Sequence, residues 1–128
     1  MDKIIQEWFT KGKSDLKEAE FLLKHKRPLC NVAFFIHQAA EKYLKGFLIA
    51  KGWELEKIHN LEKLVDECIK INPSFKKFVE PLRRITRYYF ESRYPIGYDV
   101  EYKTREIRED LDTVKEIAKT VNKEVLKK

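Results

Sequence analysis

The sequence predicts an all-α fold: an antiparallel up-and-down four-helix bundle with a short accessory helix, in a single domain over residues 1–128. Three observations carry this expectation. Apolar residues recur at three- and four-residue intervals through most of the chain and nowhere alternate as they do in strands. Only four glycines and four prolines occur in 128 residues, so punctuation is sparse and the periodic stretches are long. A hydrophobic content of 43% at this length supplies one interior without metal or cross-link.

Residues 2 to 25 place Ile5, Trp8, Phe9, Gly12, Leu16, Ala19 and Leu23 at helical spacing, with lysines and glutamates between them. Arg27-Pro28 ends this helix, because a residue before proline is pushed out of helical geometry, and Pro28 opens the next. From Leu29 to about Lys51 the apolar residues occupy more than one face. Val32, Ile36, Tyr43, Leu44 and Phe47 lie on one side, and Phe35, Ala39, Gly46 and Ala50 toward another. This should be the most buried helix, packed against several partners or against its own copy, with Ala39 and Gly46 small enough to admit a second backbone. Gly52 is placed to close it as a left-handed cap.

Asn60 is a good N-cap for a third helix that carries Leu61, Leu64, Val65, Cys68 and Ile69 and stops near Ile71. Asn72-Pro73 restarts the chain, and Phe75, Phe78, Val79, Leu82, Ile85 and Tyr89 form the stripe of a fourth helix, expected to bend at Pro81 and to end near Glu91. The segment from Arg93 to Tyr98 has no helical period and contains proline and glycine, as a loop does. Residues 102 to 126 then form a last amphipathic helix on Ile107, Leu111, Val114, Ile117, Ala118, Val121 and Val125.

Composition excludes several classes. Cys30 and Cys68 lie 38 residues apart with no C-x-x-C, so they read as reduced thiols lining the core of a cytoplasmic protein. The longest stretch without a charged residue, Pro28 to Ala40, has thirteen residues, too few to span a bilayer, and the amino terminus lacks a signal pattern. No membrane association is expected. Charged residues reach 38% against one methionine and two glutamines, the balance of ion-pair-rich thermophilic proteins. Phosphate-loop, zinc-protease and serine-hydrolase signatures are missing, and the three histidines have no paired ligand spacing, so neither a metal nor a cofactor is expected.

Two features carry chemistry. His37, Glu41 and Lys45 recur every four residues and line one face of the second helix. They form either an ordinary ion pair beside a core histidine or a polar strip that meets a phosphate or ribose. The second feature is the segment Lys76 to Arg93, with six basic residues against two acidic in 18 positions. Four of the seven arginines lie between 83 and 93 and five of the six tyrosines between 88 and 102. Guanidinium forks bind phosphate and tyrosine rings stack on bases, so Arg83, Arg87 and Arg93 with Tyr94 and Tyr98 read as a nucleotide-binding set, joined by His37 and Lys45. The alternative is a solvated basic face with tyrosines packing the loop. In the same reading, Ile85 and Tyr89 face the core.

The segment from Val32 to Leu48, with its His37-Gln38-Ala39-Ala40-Glu41-Lys42-Tyr43-Leu44-Lys45 centre, followed by His59-Asn60-Leu61 and by Arg93-Tyr94-Pro95, resembles the HEPN family (higher eukaryotes and prokaryotes nucleotide-binding domain) over nearly the whole chain. The resemblance implies an all-α bundle that binds a nucleotide or nucleic-acid phosphate, usually as a homodimer. It also implies a gene often found beside a minimal nucleotidyltransferase in a toxin–antitoxin-like module. RNA-cleaving members carry an arginine followed four to six residues later by histidine. Here no histidine follows His59, so no catalytic residue is assigned. Two other functions are a metal-independent ribonuclease, in which His37 reaches the arginines from the central helix, and a module that docks an acidic protein partner.

Overall fold

The computed structural model describes residues 2–92 and 101–126. Helix α1 (Lys3–Lys24) begins at Asp2, whose Oδ1 accepts from the Ile4 amide at 2.8 Å. It ends in paired backbone bonds from Lys26 N to Leu23 O (3.1 Å) and from Arg27 N to Leu22 O (2.9 Å), with Lys26 in the left-handed region at φ 55°. Helix α2 (Leu29–Ala50) opens behind Pro28 and closes the same way on Gly52, φ 95°, where no Cβ penalty arises. Asn60 caps α3 (Leu61–Ile71) by accepting from the Glu62 and Lys63 amides.

The expected fourth helix is in three pieces: a 3-10 helix (Pro73–Phe78), α4 (Val79–Ile85) and α5 (Tyr88–Glu91). Pro81 does not bend it. Proline there is the third residue of α4, where the backbone N–H has no intrahelical acceptor anyway. The break falls at Thr86-Arg87, where bonds tighten to the i−3 pattern, Arg87 N to Arg84 O at 3.2 Å and Tyr89 N to Thr86 O at 3.4 Å. Thr86 itself accepts from the Leu61 amide at 2.8 Å and so fastens the start of α3. This tighter turn shifts the helical phase: Tyr88 enters the core in place of the expected Tyr89, which is half-buried. A long helix α6 (Thr104–Leu126) completes the bundle.

Helix α2 is the axis of the fold, in contact with α1, α3, α4, α5 and α6, and thirteen of its residues are buried. Its small residues serve this chain, not a second copy. A Cβ on Gly46 would stand 2.5 Å from the Phe9 ring, and Ala39 is fully buried. The expected use of Ala39 and Gly46 at a dimer contact is therefore corrected: the surplus apolar face of α2 is covered by α1 and its neighbours. Phe47, Phe75 and Phe78 fill the far end of the core. Cys68 is buried and Cys30 half-buried, both as free thiols, and burial pushes the Cys68 thiol up. No helix among the described residues is long and apolar enough to cross a membrane.

Candidate anion-binding site

Three polar residues on one face of α2 cannot all be buried unless they find hydrogen-bond partners. Glu41, 4% exposed, is the acceptor that makes this possible. Its Oε2 accepts from Lys45 Nζ at 3.2 Å and its Oε1 from His59 Nδ1 at 2.9 Å. His37, fully buried, donates from Nε2 to the His59 carbonyl at 3.0 Å, which pins the loop before α3 onto α2. Burial pushes the Glu41 carboxyl up, but the His59 hydrogen bond and the Lys45 ammonium outweigh it and hold the group below its ordinary value. Burial dominates at His37 and lowers its imidazole, which is neutral at pH 7.

His59 is the member of this network that reaches the surface, with 43% of its side chain exposed. Glu41 fixes one ring nitrogen, and Tyr89 stacks on the ring at 4.4 Å with planes 10° apart. A buried carboxylate thus orients an accessible imidazole, an arrangement that can accept or deliver a proton or contact an anion.

Beside it, across the Leu61–Thr86 hydrogen bond, lies an open depression of about 420 Å³ lined by Glu62, Glu80, Arg83, Arg84, Thr86 and Arg87. Three guanidiniums line it, and each has a carboxylate. Arg83 donates to Glu62 at 3.3 Å and to Glu80 at 2.9 Å, and the Glu62 hydrogen bond first, then the Glu80 charge, hold its guanidinium above the ordinary value. Arg84 forks onto the fully buried Asp110, which also accepts from the Tyr88 hydroxyl. The Asp110 hydrogen bond raises Arg84 further, while burial, then Asp110, raises Tyr88. Arg87 is the least compensated, with its side chain 66% exposed and Glu91 at 4.0 Å.

The residues read from sequence therefore separate. Arg83 and Arg87 share the depression. His37 and Lys45 lie inside the fold, where they position Glu41 and the His59 loop. Arg93, Tyr94 and Tyr98 lie outside the described residues. Sequence reasoning missed His59 and Arg84's role. Arg84 is structural, and its partner Asp110 stands 26 residues away, beyond any local spacing. His59 carried one signal, its place directly before the α3 cap. Among the described residues no group of three or more His, Cys, Asp or Glu side chains is arranged to hold a metal ion.

Comparison with known proteins agrees with this fold. The crystal structure of TT1696 from Thermus thermophilus superposes with a TM-score of 0.78 at 24% identity, covering 93% of this chain and 96% of that one. The crystal structure of ST0689, described as an archaeal HEPN homologue, gives 0.76 at 23% identity over 98% and 99%. At these identities the likeness concerns the fold. No curated protein matches the sequence. Residues 5–125 match the model of the HEPN domain, and the chain belongs to that family.

Proposed function

We propose that this HEPN-domain protein is a binding module that holds a nucleotide or nucleic-acid phosphate at the α4–α5 depression. The observation that carries the reading is Arg87. It is largely exposed, has only a distant carboxylate, and directly follows Thr86, whose hydroxyl holds the Leu61 amide two residues beyond His59. An incoming phosphate competes with Glu91 at 4.0 Å more easily than with Glu62 and Glu80 on Arg83. Arg93, Tyr94 and Tyr98 follow α5 in sequence and complete the proposed set. The family points further to a homodimer working in the cytoplasm with a minimal nucleotidyltransferase in a toxin–antitoxin-like pair. Calorimetry with ATP, GTP and a short RNA at low salt tests the reading. Heat of binding that falls at least tenfold in affinity with Arg87→Gln supports it, and no heat with any ligand overturns it.

His59 favours a second reading, metal-independent RNA cleavage. In the fold the imidazole available to a surface ligand is His59, not the buried His37. Cleavage of a labelled RNA that disappears in both His59→Gln and Arg87→Gln would replace the binding reading with this one.

A further inference from the structure

The arginine segment concentrates positive charge in sequence, yet its depression holds carboxylates against every guanidinium. The face formed by α1 and the middle of α6 is different. Lys13, Lys17, Phe21 and Lys24 recur every three or four residues on α1 and share one side of it. Phe21 is the common wall of two depressions of about 560 and 480 Å³. Lys13 and Lys17 stand in the first, and Lys24, Lys26, Arg108 and Lys115 in the second. Glu18 and Glu20 are the carboxylates of these linings, and only Lys115 has a described ion pair, with Glu20 at 3.5 Å.

Two further observations bear on what this face meets. Phe21 is 56% exposed between lysines, hydroxyls and the flanking Glu18 and Glu20, with its ring 4.3 Å from that of His25. An aromatic ring left in water among cations offers a stacking surface and has little apolar neighbourhood to bury against. Lys26 sits at φ 55°, the left-handed closing position of α1, where glycine fits without strain and a lysine crowds its own backbone. This strained position places a cation in the lining of the second depression, beside Lys24.

We propose that this face binds the sugar–phosphate backbone of single-stranded nucleic acid, with a base stacked on Phe21. The phosphates on one side of that base meet Lys13 and Lys17, and those on the other meet Lys24, Lys26 and Arg108. From Lys13 to Lys24 the helix advances about 17 Å, so the track spans several nucleotides. A membrane surface would call for a broad apolar area in place of one ring, and an acidic peptide would have no use for that ring. The site is separate from the α4–α5 depression and does not depend on it.

Fluorescence anisotropy with a labelled, unstructured single-stranded RNA, over a series of salt concentrations, tests the proposal on the whole chain. Replacing Lys17 and Lys24 together by Gln is expected to weaken binding about tenfold at low salt and to flatten the log–log salt dependence by about 1.4. Phe21→Leu keeps the apolar bulk and loses the stack, for a roughly fivefold to hundredfold loss. Lys26→Gly should bind less tightly while unfolding at a higher temperature, a combination that a merely structural role would not produce. Replacing Lys70 and Lys76 together by Gln, an equal loss of charge on exposed lysines that line neither depression of this face, should change this affinity far less than the Lys17 and Lys24 pair does, which separates a site from general attraction to a basic protein. The proposal is overturned if the α1 variants bind like the wild type, if the wild type does not bind, or if polyglutamate of equal charge binds as tightly.

Discussion

Removing the Glu41 carboxylate should cost more than any surface change and should be rescued by a second mutation. In Glu41→Leu, the Lys45 ammonium is left 3% exposed with its one described acceptor gone. An uncompensated buried charge of this kind costs about 3–5 kcal/mol. For a 128-residue domain, total stability is on the order of 6–19 kcal/mol, so the single change takes a large share of it. Lys45→Met is milder. His59 still donates to Glu41 at 2.9 Å, and the loss is near that of one charge-assisted bond, about 1.5–3 kcal/mol. With both changes His37, bonded to the His59 carbonyl, is the one polar member left on that face, and the His59 ring, already 43% exposed, turns to water for its partner. The double variant is therefore expected to be more stable than Glu41→Leu alone, with a coupling of about 2 kcal/mol or more. Urea unfolding of the wild type and the three variants gives the cycle directly. Costs that add within about 0.5 kcal/mol would show that Glu41 and Lys45 are independent and that the network does not exist as described.

Asp110→Ala removes the acceptor shared by Arg84 and the Tyr88 hydroxyl and should cost about 3–5 kcal/mol in the same assay, against under about 1 for an exposed pair such as Arg105–Glu109. Gly46→Ala drives a Cβ to 2.5 Å from the Phe9 ring and should cost about 1–3 kcal/mol by overpacking; an unchanged unfolding midpoint would contradict the α1–α2 packing. The pH dependence has a definite sign. His37 is lowered in the folded state, so the unfolded chain takes up its proton first, and stability should decline as pH falls below 6.5. Glu41, also lowered, adds a second loss below pH 4.5, and His37→Gln should abolish the first while keeping the second. A thermal midpoint well above the mesophile range of about 45–65 °C is expected from the charge-rich composition, and a midpoint inside that range refutes the thermophilic reading.

Much of the fold is legible in the sequence because it depends on local patterns. The boundaries of α3 follow from the Asn60 cap and from Asn72-Pro73, and the end of α2 from Gly52. The fourth helix is where local reading fails. Its apolar stripe continues unbroken through Thr86, but a hydroxyl accepting from the Leu61 amide, 25 residues away, favours a tight turn there. That turn rotates everything after it, so Tyr88 is buried where Tyr89 was expected. The same limit applies to the site. His37, Glu41 and Lys45 announce a shared face by spacing, but whether that face meets a ligand or a loop depends on His59, which no helical period connects to them.

Charge density along a sequence and free charge in a fold are different quantities, and the arginines make the difference concrete. Arg83 and Arg84 come from the most basic stretch of the chain, yet folding gives the first two glutamates and the second a buried aspartate from α6. A guanidinium already satisfied in this way gains little from an incoming phosphate, because the new bond replaces one of equal kind. Arg87 is the guanidinium of its depression that meets only a distant carboxylate, while Lys13, Lys17 and Lys24, on a helix that also carries Glu7, Glu18 and Glu20, line their depressions with no described carboxylate partner. Compensation in three dimensions, more than the count of arginines, thus decides where an anion gains by leaving water.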